Sequence, residues 1–252
     1  MKTYLPSNIY SALLAMHFTE KVKESIEILP ASLISQKLIE ERDSVGLIPS
    51  CDLYKLEHVK VSNKISLSFD GILSQSYLYF VPDQNKFEKI FMRGDVSSNE
   101  VLLSKILFKE RYDLQPVITL DTSILDFEEN NYLIAGQENS NLFNKHNGVS
   151  FADQIAEFID YPYVNFVAAS FNENNLKSIS NTVNNLDTKI EDGIVDLLEH
   201  IEIPSSFKDF ISQNIDTVYF EMTSNEEEGL RELLKLPYLH GFVEGMIEVN
   251  FV

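Results

Sequence analysis

The chain has little cysteine, glycine and proline, and each shortage excludes a class of protein. Cys51 is the only cysteine in 252 residues, so an intrachain disulfide and Cys-x-x-Cys zinc or redox chemistry are excluded. Nine glycines and eight prolines are too few for a collagenous or loop-rich chain. Apolar residues make up 44% of the sequence, which is typical of a globular protein rather than a disordered one.

Positive charge is also scarce. The 20 lysines and arginines face 39 acidic residues, which gives a formal net charge of −19, and no basic run occurs. A surface of this charge repels nucleic acids and anionic lipids, because phosphate contacts need clustered Lys and Arg. We therefore expect neither as a partner. The same field opposes an anionic ligand, so an anion site would need local donors such as hydroxyls and helix N-termini.

Long apolar runs are missing too. No stretch approaches the roughly 18 apolar residues of a membrane span. Residues 1–16 carry no apolar stretch of the kind that a signal peptide needs. We therefore expect a soluble protein of the reducing cytoplasm.

What the sequence does contain is an alternation of strand-like and helix-like segments, which predicts an α/β fold with largely parallel sheets. The predicted strands are Lys2–Leu5, Glu27–Leu29, Val45–Ile48, 65–69, Tyr77–Val81, Ile90–Met92, Val117–Leu120, Tyr132–Ala135, Tyr163–Ala169 and Thr217–Met222. The predicted helices run from Ser7 or Asn8 to about Glu24, over Leu33–Glu41, Ser98–Tyr112 and Phe151–Ile159, from Leu176 to Ile194, over Ser206–Ile215, and from Glu226 onward.

Two apolar strands, Tyr77–Val81 and Tyr163–Ala169, are candidates for crossings between two lobes. One lobe would then contain residues 1–76 and 171–252, and the other would contain residues 77–170. Ligands of such folds bind between the lobes, at the carboxyl ends of strands.

Polar residues follow several predicted strands. Ser97-x-x-Glu100 is a capping box, and the helix start with Ser98 and Asn99 could equally hold a carboxylate. Asn8 either caps the first helix or carries function at a strand-to-helix turn. Ser50, after Pro49, ends a buried strand or belongs to the site.

Ser74, Gln75 and Ser76 precede the first crossing strand. They would face the cleft between two lobes, or else form the polar edge of a half-buried strand. The five histidines are scattered without metal-ligand spacing, so we expect no metal site. Nucleotide-binding and hydrolase motifs (GxGxxG, the P-loop and GxSxG) are also missing.

The order of these segments resembles the chorismate dehydratase family of the futalosine route to menaquinone, which uses the type II periplasmic-binding-protein fold without being exported. The matching stretches are Ser44–Ser50, similar to the family's D-x-x-L-I-P-S, Ser68–Gly71, similar to S-x-D-G, the helix from Val101 to Tyr112, Leu133–Gly136, similar to L-L-I-G, Tyr161–Val164 with Ala168, and Glu228–Leu230 with Tyr219.

The resemblance implies a two-lobed fold and removal of water from chorismate, with no metal or organic cofactor. It places Asn8 close to the reacting ring, as the catalytic residue. The crossing-strand serine would be Ser74 or Ser76, or Gln75 would stand there. Ser97, Ser98 and Asn99 would form the anion loop, and the expected substrate-binding set is completed by Ser50, Gly136 and Gln137. The expected partner is a small carboxylate such as chorismate, bound by a monomer or a homodimer.

The sequence departs from the family at the cleft. Asn99-Glu100 replaces a Thr-Ser pair, Gly136-Gln137 replaces Gly-Asp, and a proline after the N-terminal Asn is lost near Ser11 or Ala12. A changed ligand or a lost activity would produce such changes. The alternative is therefore a non-catalytic cytoplasmic binding protein for another small organic anion. A structural or protein-interaction role, motivated by the charge of −19, is a third hypothesis.

Overall fold

The computed structural model describes residues 1–84 and 87–252. Its strands are β1 (Thr3–Pro6), β2 (Ile26–Leu29), β3 (Val45–Pro49), β4 (Lys60–Phe69), β5 (Ser76–Tyr79), β6 (Lys89–Gly94), β7 (Val117–Leu120), β8 (Tyr132–Ala135), β9 (Val149–Ser150), β10 (Tyr163–Ser170) and β11 (Val218–Glu221). Its helices are α1 (Ile9–Met16), α2 (Glu20–Lys23), α3 (Ala31–Glu40), α4 (Ser98–Tyr112), α5 (Glu138–Leu142), α6 (Phe151–Ile159), α7 (Glu173–Ser180), α8 (Leu186–Glu199), α9 (Ser205–Asn214) and α10 (Ser224–Leu239). Short 3₁₀ helices cover Ser50–Lys55 and Ile215–Thr217.

The strands form two sheets, which confirms the predicted α/β architecture. The first sheet has the order β11-β4-β10-β3-β1-β2, and the second has the order β7-β6-β8-β5-β9. The first sheet thus draws strands from both ends of the chain, and the second draws them from the middle.

The prediction of largely parallel sheets is wrong, because both sheets are mixed. The pairs β1/β2, β1/β3, β6/β7 and β6/β8 are parallel, as expected for strands joined through helices. β10 runs antiparallel to β3 and β4, since it begins beside the carboxyl end of β3. β5 likewise runs antiparallel to β8.

Strand β10 belongs entirely to the first sheet. Its partners are β3, with Phe166 opposite Pro49, and β4, with Tyr163 opposite Phe69. All eight of its residues are buried, as expected for a central strand. The chain therefore passes from the second sheet to the first before Tyr163, and the predicted lobe boundaries at residues 76/77 and 170/171 stay a prediction.

Two predicted helices are each broken in two. The helix from Ser7 or Asn8 to Glu24 is α1 followed by α2, and the helix from Leu176 to Ile194 is α7 followed by α8. Asn185 stands between α7 and α8 at φ +53°, a left-handed conformation that Asn adopts more readily than most residues and that no helix continues through. The apolar periodicity continues across the break because Val183 and Leu186 are both buried.

A buried amide holds helix α4 to the first sheet. Asn99, in its first turn, accepts a 2.9 Å hydrogen bond from the Cys51 backbone N–H. Its Nδ2 donates to the backbone oxygen of Asn165 at 2.6 Å and to the Asn165 side-chain oxygen at 2.8 Å. Asn99 is fully buried, so these bonds fix α4 against β10 and the Ser50–Lys55 helix.

Within residues 1–84 and 87–252, no helix has the length and apolar content to cross a bilayer.

Candidate functional site

The carboxyl ends of β1, β2, β6 and β8 meet in a cleft between the two sheets. Two neighbouring cavities lie there, of about 240 Å³ and 470 Å³. Ser7, Ile28 and Gln137 line both of them, so the two are parts of one cleft. Asn8 lines the smaller cavity, and Asp95 lines the larger one.

Asn8 is the N-cap of α1 and a wall of the cleft at once. Its Oδ1 accepts a 2.7 Å hydrogen bond from the Ser11 backbone N–H, which confirms the predicted cap. The side chain is 9% exposed, and its Nδ2 donates to no acceptor in the described chain. The cap therefore engages the amide oxygen of Asn8 and leaves the amide nitrogen without a partner in the described chain. A catalytic role for Asn8 stays a prediction.

Gln75 and Gly136 lie together at the ends of β5 and β8. The Gly136 backbone N–H donates to the Gln75 carbonyl at 2.8 Å, and Gly136 has φ +89°, which favours glycine. A Cβ at Gly136 would lie 3.6 Å from Gln75 Nε2 and 3.4 Å from the Asp95 Cβ. Gln75 Nε2 is buried and has no acceptor among the residues described. A second amide nitrogen without an acceptor is thus buried near Asp95, although Gln75 lines neither of the two cleft cavities.

Asp95 links the two sheets and was not among the predicted site residues. Its Oδ1 accepts a 2.8 Å hydrogen bond from the backbone N–H of Ala31, the first residue of α3. Its Oδ2 is buried without a partner within the described ranges, and burial raises the pKa of this carboxyl. Asp95 therefore occupies the helix N-terminus at which an anionic ligand would otherwise find a donor. Its place directly after β6, at a strand end that faces the cleft as the end of β1 before Asn8 does, was the available signal.

The predicted anion loop holds a carboxylate of its own. Glu100 is 1% exposed, and its Oε1 accepts from the Ser76 hydroxyl at 2.8 Å. Its Oε2 accepts from the Ser97 hydroxyl at 2.6 Å and from the Ser97 backbone N–H at 2.8 Å, which confirms the capping box. Both hydroxyls would have to leave Glu100 to bind a ligand, so their predicted use stays a prediction. Ser98 Oγ is buried beside them with no partner in the part of the chain that is described.

The other predicted site residues have partners within the protein. The Ser50 hydroxyl donates to the Val164 carbonyl at 2.6 Å in the core. The Ser74 hydroxyl accepts from the backbone N–H groups of Ser76 and Ala152, at 3.1 Å and 3.2 Å. Neither these serines nor Asn99 lines the two cleft cavities, whereas Asn8 and Gln137 do.

Comparison with known proteins relates this architecture to solved structures. No family model and no curated protein sequence matches the chain. Protein AF1704 from Archaeoglobus fulgidus matches with a TM-score of 0.62 at 12% identity, over 96% of this chain and 98% of its own. The periplasmic aliphatic sulphonate binding protein SsuA from Escherichia coli matches with a TM-score of 0.65 at 11% identity, over 99% and 95%. The alkanesulfonate-binding protein SsuA from Xanthomonas axonopodis pv. citri, bound to MOPS, matches with a TM-score of 0.64 at 10% identity, over 100% and 97%.

The chain has a periplasmic-binding-protein-like fold. This confirms the predicted fold class, with two sheets and a cleft between them. At 10–12% identity the likeness shows the fold alone, and it does not show membership of the chorismate dehydratase family.

Acidic side chains, and no basic ones, are among the described residues that line the cleft of this periplasmic-binding-protein-like fold. Asp95 and Glu138 line its larger cavity, and neither Lys nor Arg is among the described residues that line either cavity. Arg93 lies nearby, but its Nε donates to both carboxylate oxygens of Glu138 at 2.8 Å. The described ranges contain no group of three or more His, Cys, Asp or Glu that could hold a metal ion. The cleft is thus lined by the neutral amides of Asn8 and Gln137 in place of cationic side chains.

Proposed function

We propose that this protein binds a small organic acid in the cleft and does not convert it. The observation that carries the proposal is Asn8, which lines the cleft and whose buried amide nitrogen has no acceptor within residues 1–84 and 87–252. A buried donor left without a partner costs about 1–3 kcal/mol. A ligand oxygen that reaches this nitrogen would recover that free energy.

The charge of the cleft limits the charge of the ligand. Asp95 repels an anion, Glu138 is paired with Arg93, and no Lys or Arg among the described lining residues offers a positive charge to a ligand. We therefore expect a ligand with a single carboxylate or sulfonate rather than a dicarboxylate such as chorismate. The names of the two SsuA proteins, which describe binding of sulfonates, support this class of ligand. The cytoplasmic location inferred from the sequence remains part of the proposal, and cell fractionation tests it.

Calorimetric titration with butanesulfonate and benzoate tests the proposal, with variants that separate the donor from the cap. Asn8→Asp keeps the capping oxygen and replaces the free donor by an anionic oxygen, so affinity should fall more than about tenfold with little change in Tm. Asn8→Ala should lower both the affinity and the Tm.

Asn172→Ala is the matched control. Asn172 caps α7 by accepting from the Asn174 and Asn175 backbone N–H groups, and it does not line the cleft cavities. Its loss should lower Tm as Asn8→Ala does and leave the affinity unchanged. Unaltered affinity in Asn8→Asp, or no binding of either acid to the wild type, would contradict the proposal.

A chorismate dehydratase-like lyase is the second candidate. It is favoured by the free Asn8 amide, which lies in the cleft where the family resemblance places an Asn close to the reacting ring. The bonds from Ser76 and Ser97 to Glu100 oppose it, because they engage the hydroxyls expected to hold a substrate carboxylate. Incubation with chorismate distinguishes the two proposals. Loss of chorismate absorbance with an aromatic product, abolished in Asn8→Asp, would establish the lyase and overturn non-catalytic binding.

A further inference from the structure

A third cavity, of about 410 Å³, lies between the second sheet and α9. It has the volume of a small-molecule site. Its described lining residues include none of those that line the two cleft cavities, so it is a separate site. His146 lines it, and five Tyr and Phe side chains form much of its wall: Tyr77, Tyr79, Phe143, Phe207 and Phe210.

The rings are fixed by contacts with one another and with the backbone. Phe143 stacks on Phe210, with ring centroids 4.6 Å apart, and lies 5.4 Å from the ring of Phe207. The Tyr77 hydroxyl donates to the Ile72 carbonyl at 3.1 Å, and the Tyr79 hydroxyl donates to Asn139 Oδ1 at 3.0 Å. Because both hydroxyls are engaged by the protein, the tyrosines contribute mainly their rings to the cavity.

One carboxylate also lines this cavity. Asp153 lies in the first turn of α6, and its side chain has no hydrogen bond or ion pair with any residue that the structure describes. Arg111, whose positive charge acts on Asp153, forms its ion pair with Glu157 instead. Burial and the neighbouring Glu157 charge raise the pKa of Asp153. A cationic ligand would compensate this carboxylate, and an anionic one would be repelled by it.

We propose that this cavity binds a small organic cation of the alkylammonium class, between its aromatic rings and the Asp153 carboxylate. Aromatic rings attract such cations through their electron-rich faces, most strongly where water is excluded. A bulky, weakly hydrated ammonium group suits a ring-lined cavity better than an inorganic cation, whose water shell the rings cannot replace. The net charge of −19 further favours a positively charged ligand over a negative one.

Calorimetric titration with choline tests the proposal against its neutral isostere, the alcohol in which a tert-butyl group replaces the trimethylammonium group. Both compounds have the same shape, so only charge separates them. Choline should bind at least about tenfold more tightly than the isostere. In Asp153→Asn the affinity for choline should fall about tenfold, and that for the isostere should stay the same.

Asp209→Asn provides the control for the loss of one negative charge. Asp209 is exposed on α9, between Phe207 and Phe210 in sequence, and it is not among the described lining residues. Its substitution should leave choline affinity unchanged, whereas Phe210→Leu should weaken choline more than it weakens the isostere. Equal wild-type affinities for the two compounds, unchanged choline binding in folded Asp153→Asn, or no choline binding to the wild type would each overturn the proposal. The comparison of the two compounds on the wild type does not depend on any variant folding.

Discussion

The Asp95 carboxylate holds α3 to the second sheet, and two substitutions separate its hydrogen bond from its charge. Asp95→Ala removes the acceptor of the Ala31 N–H. Ala31 is fully buried, and this N–H donates to no other acceptor in the described ranges. A buried amide without an acceptor costs about 1–3 kcal/mol. Because water from the adjacent cavity can reach part of the gap, we expect a loss of about 1–2 kcal/mol in the free energy of unfolding.

Asp95→Asn keeps an oxygen acceptor and removes the charge. Burial raises the pKa of this carboxyl, so the folded state holds its proton more tightly than the unfolded chain does. The stability that this group contributes is therefore present at low pH and is lost as pH rises through the folded-state pKa. Near pH 7 we expect Asp95→Asn to be at least as stable as the wild type.

Urea denaturation near pH 7 and hydrogen exchange of the Ala31 amide measure these effects. The Ala31 amide should lose protection by at least about tenfold in Asp95→Ala and keep it in Asp95→Asn. X-ray scattering should show a larger radius of gyration for Asp95→Ala if the lobes separate. An Asp95→Ala variant as stable as the wild type, with Ala31 still protected, would refute the reasoning.

Two further predictions concern buried carboxylates elsewhere. Glu100→Ala removes the acceptor of three hydrogen bonds, so urea denaturation should show a loss of about 2–4 kcal/mol in the free energy of unfolding. This loss should exceed that of Glu226→Ala in the second capping box, and equal losses would show that the bond to Ser76 contributes nothing. Burial raises the pKa of Asp187 from 3.8 to about 6. The wild type should therefore lose stability relative to Asp187→Asn as pH rises from about 4 to 6. Because the side chain is partly exposed, we expect this loss in the free energy of unfolding to be about 1–2 kcal/mol. Parallel stability curves for these two proteins across that range would contradict the assignment.

Local signals in the sequence predicted the elements whose ends they determine. Helix α4 was predicted with its observed bounds, because the Ser97-x-x-Glu100 capping box determines its start. The break at Asn185 was missed, since the apolar periodicity continues through it. Helix α5 was missed because a five-residue helix is too short to show a period.

The sequence predicted only those residues of the candidate site that closely follow a strand. Asn8 follows β1 of the first sheet and Gln137 follows β8 of the second sheet, and both line the cleft between the sheets. The bond between Asp95 and Ala31 joins residues 64 positions apart, and that between Ser50 and Val164 joins residues 114 apart. The first pairing depends on how the two sheets meet and the second on where β10 enters the first sheet, and neither periodicity nor capping encodes these arrangements.

The central position of β10 has a consequence for biosynthesis. The five strands of the second sheet lie within residues 76–150, so that sheet can complete as soon as this stretch has left the ribosome. The first sheet must wait for Tyr163–Ser170 and then for β11, and until β10 is made β3 and β4 each expose an edge that it will cover. The lobe that is translated first is therefore finished last, and the nascent chain carries open strand edges while its middle is already folded.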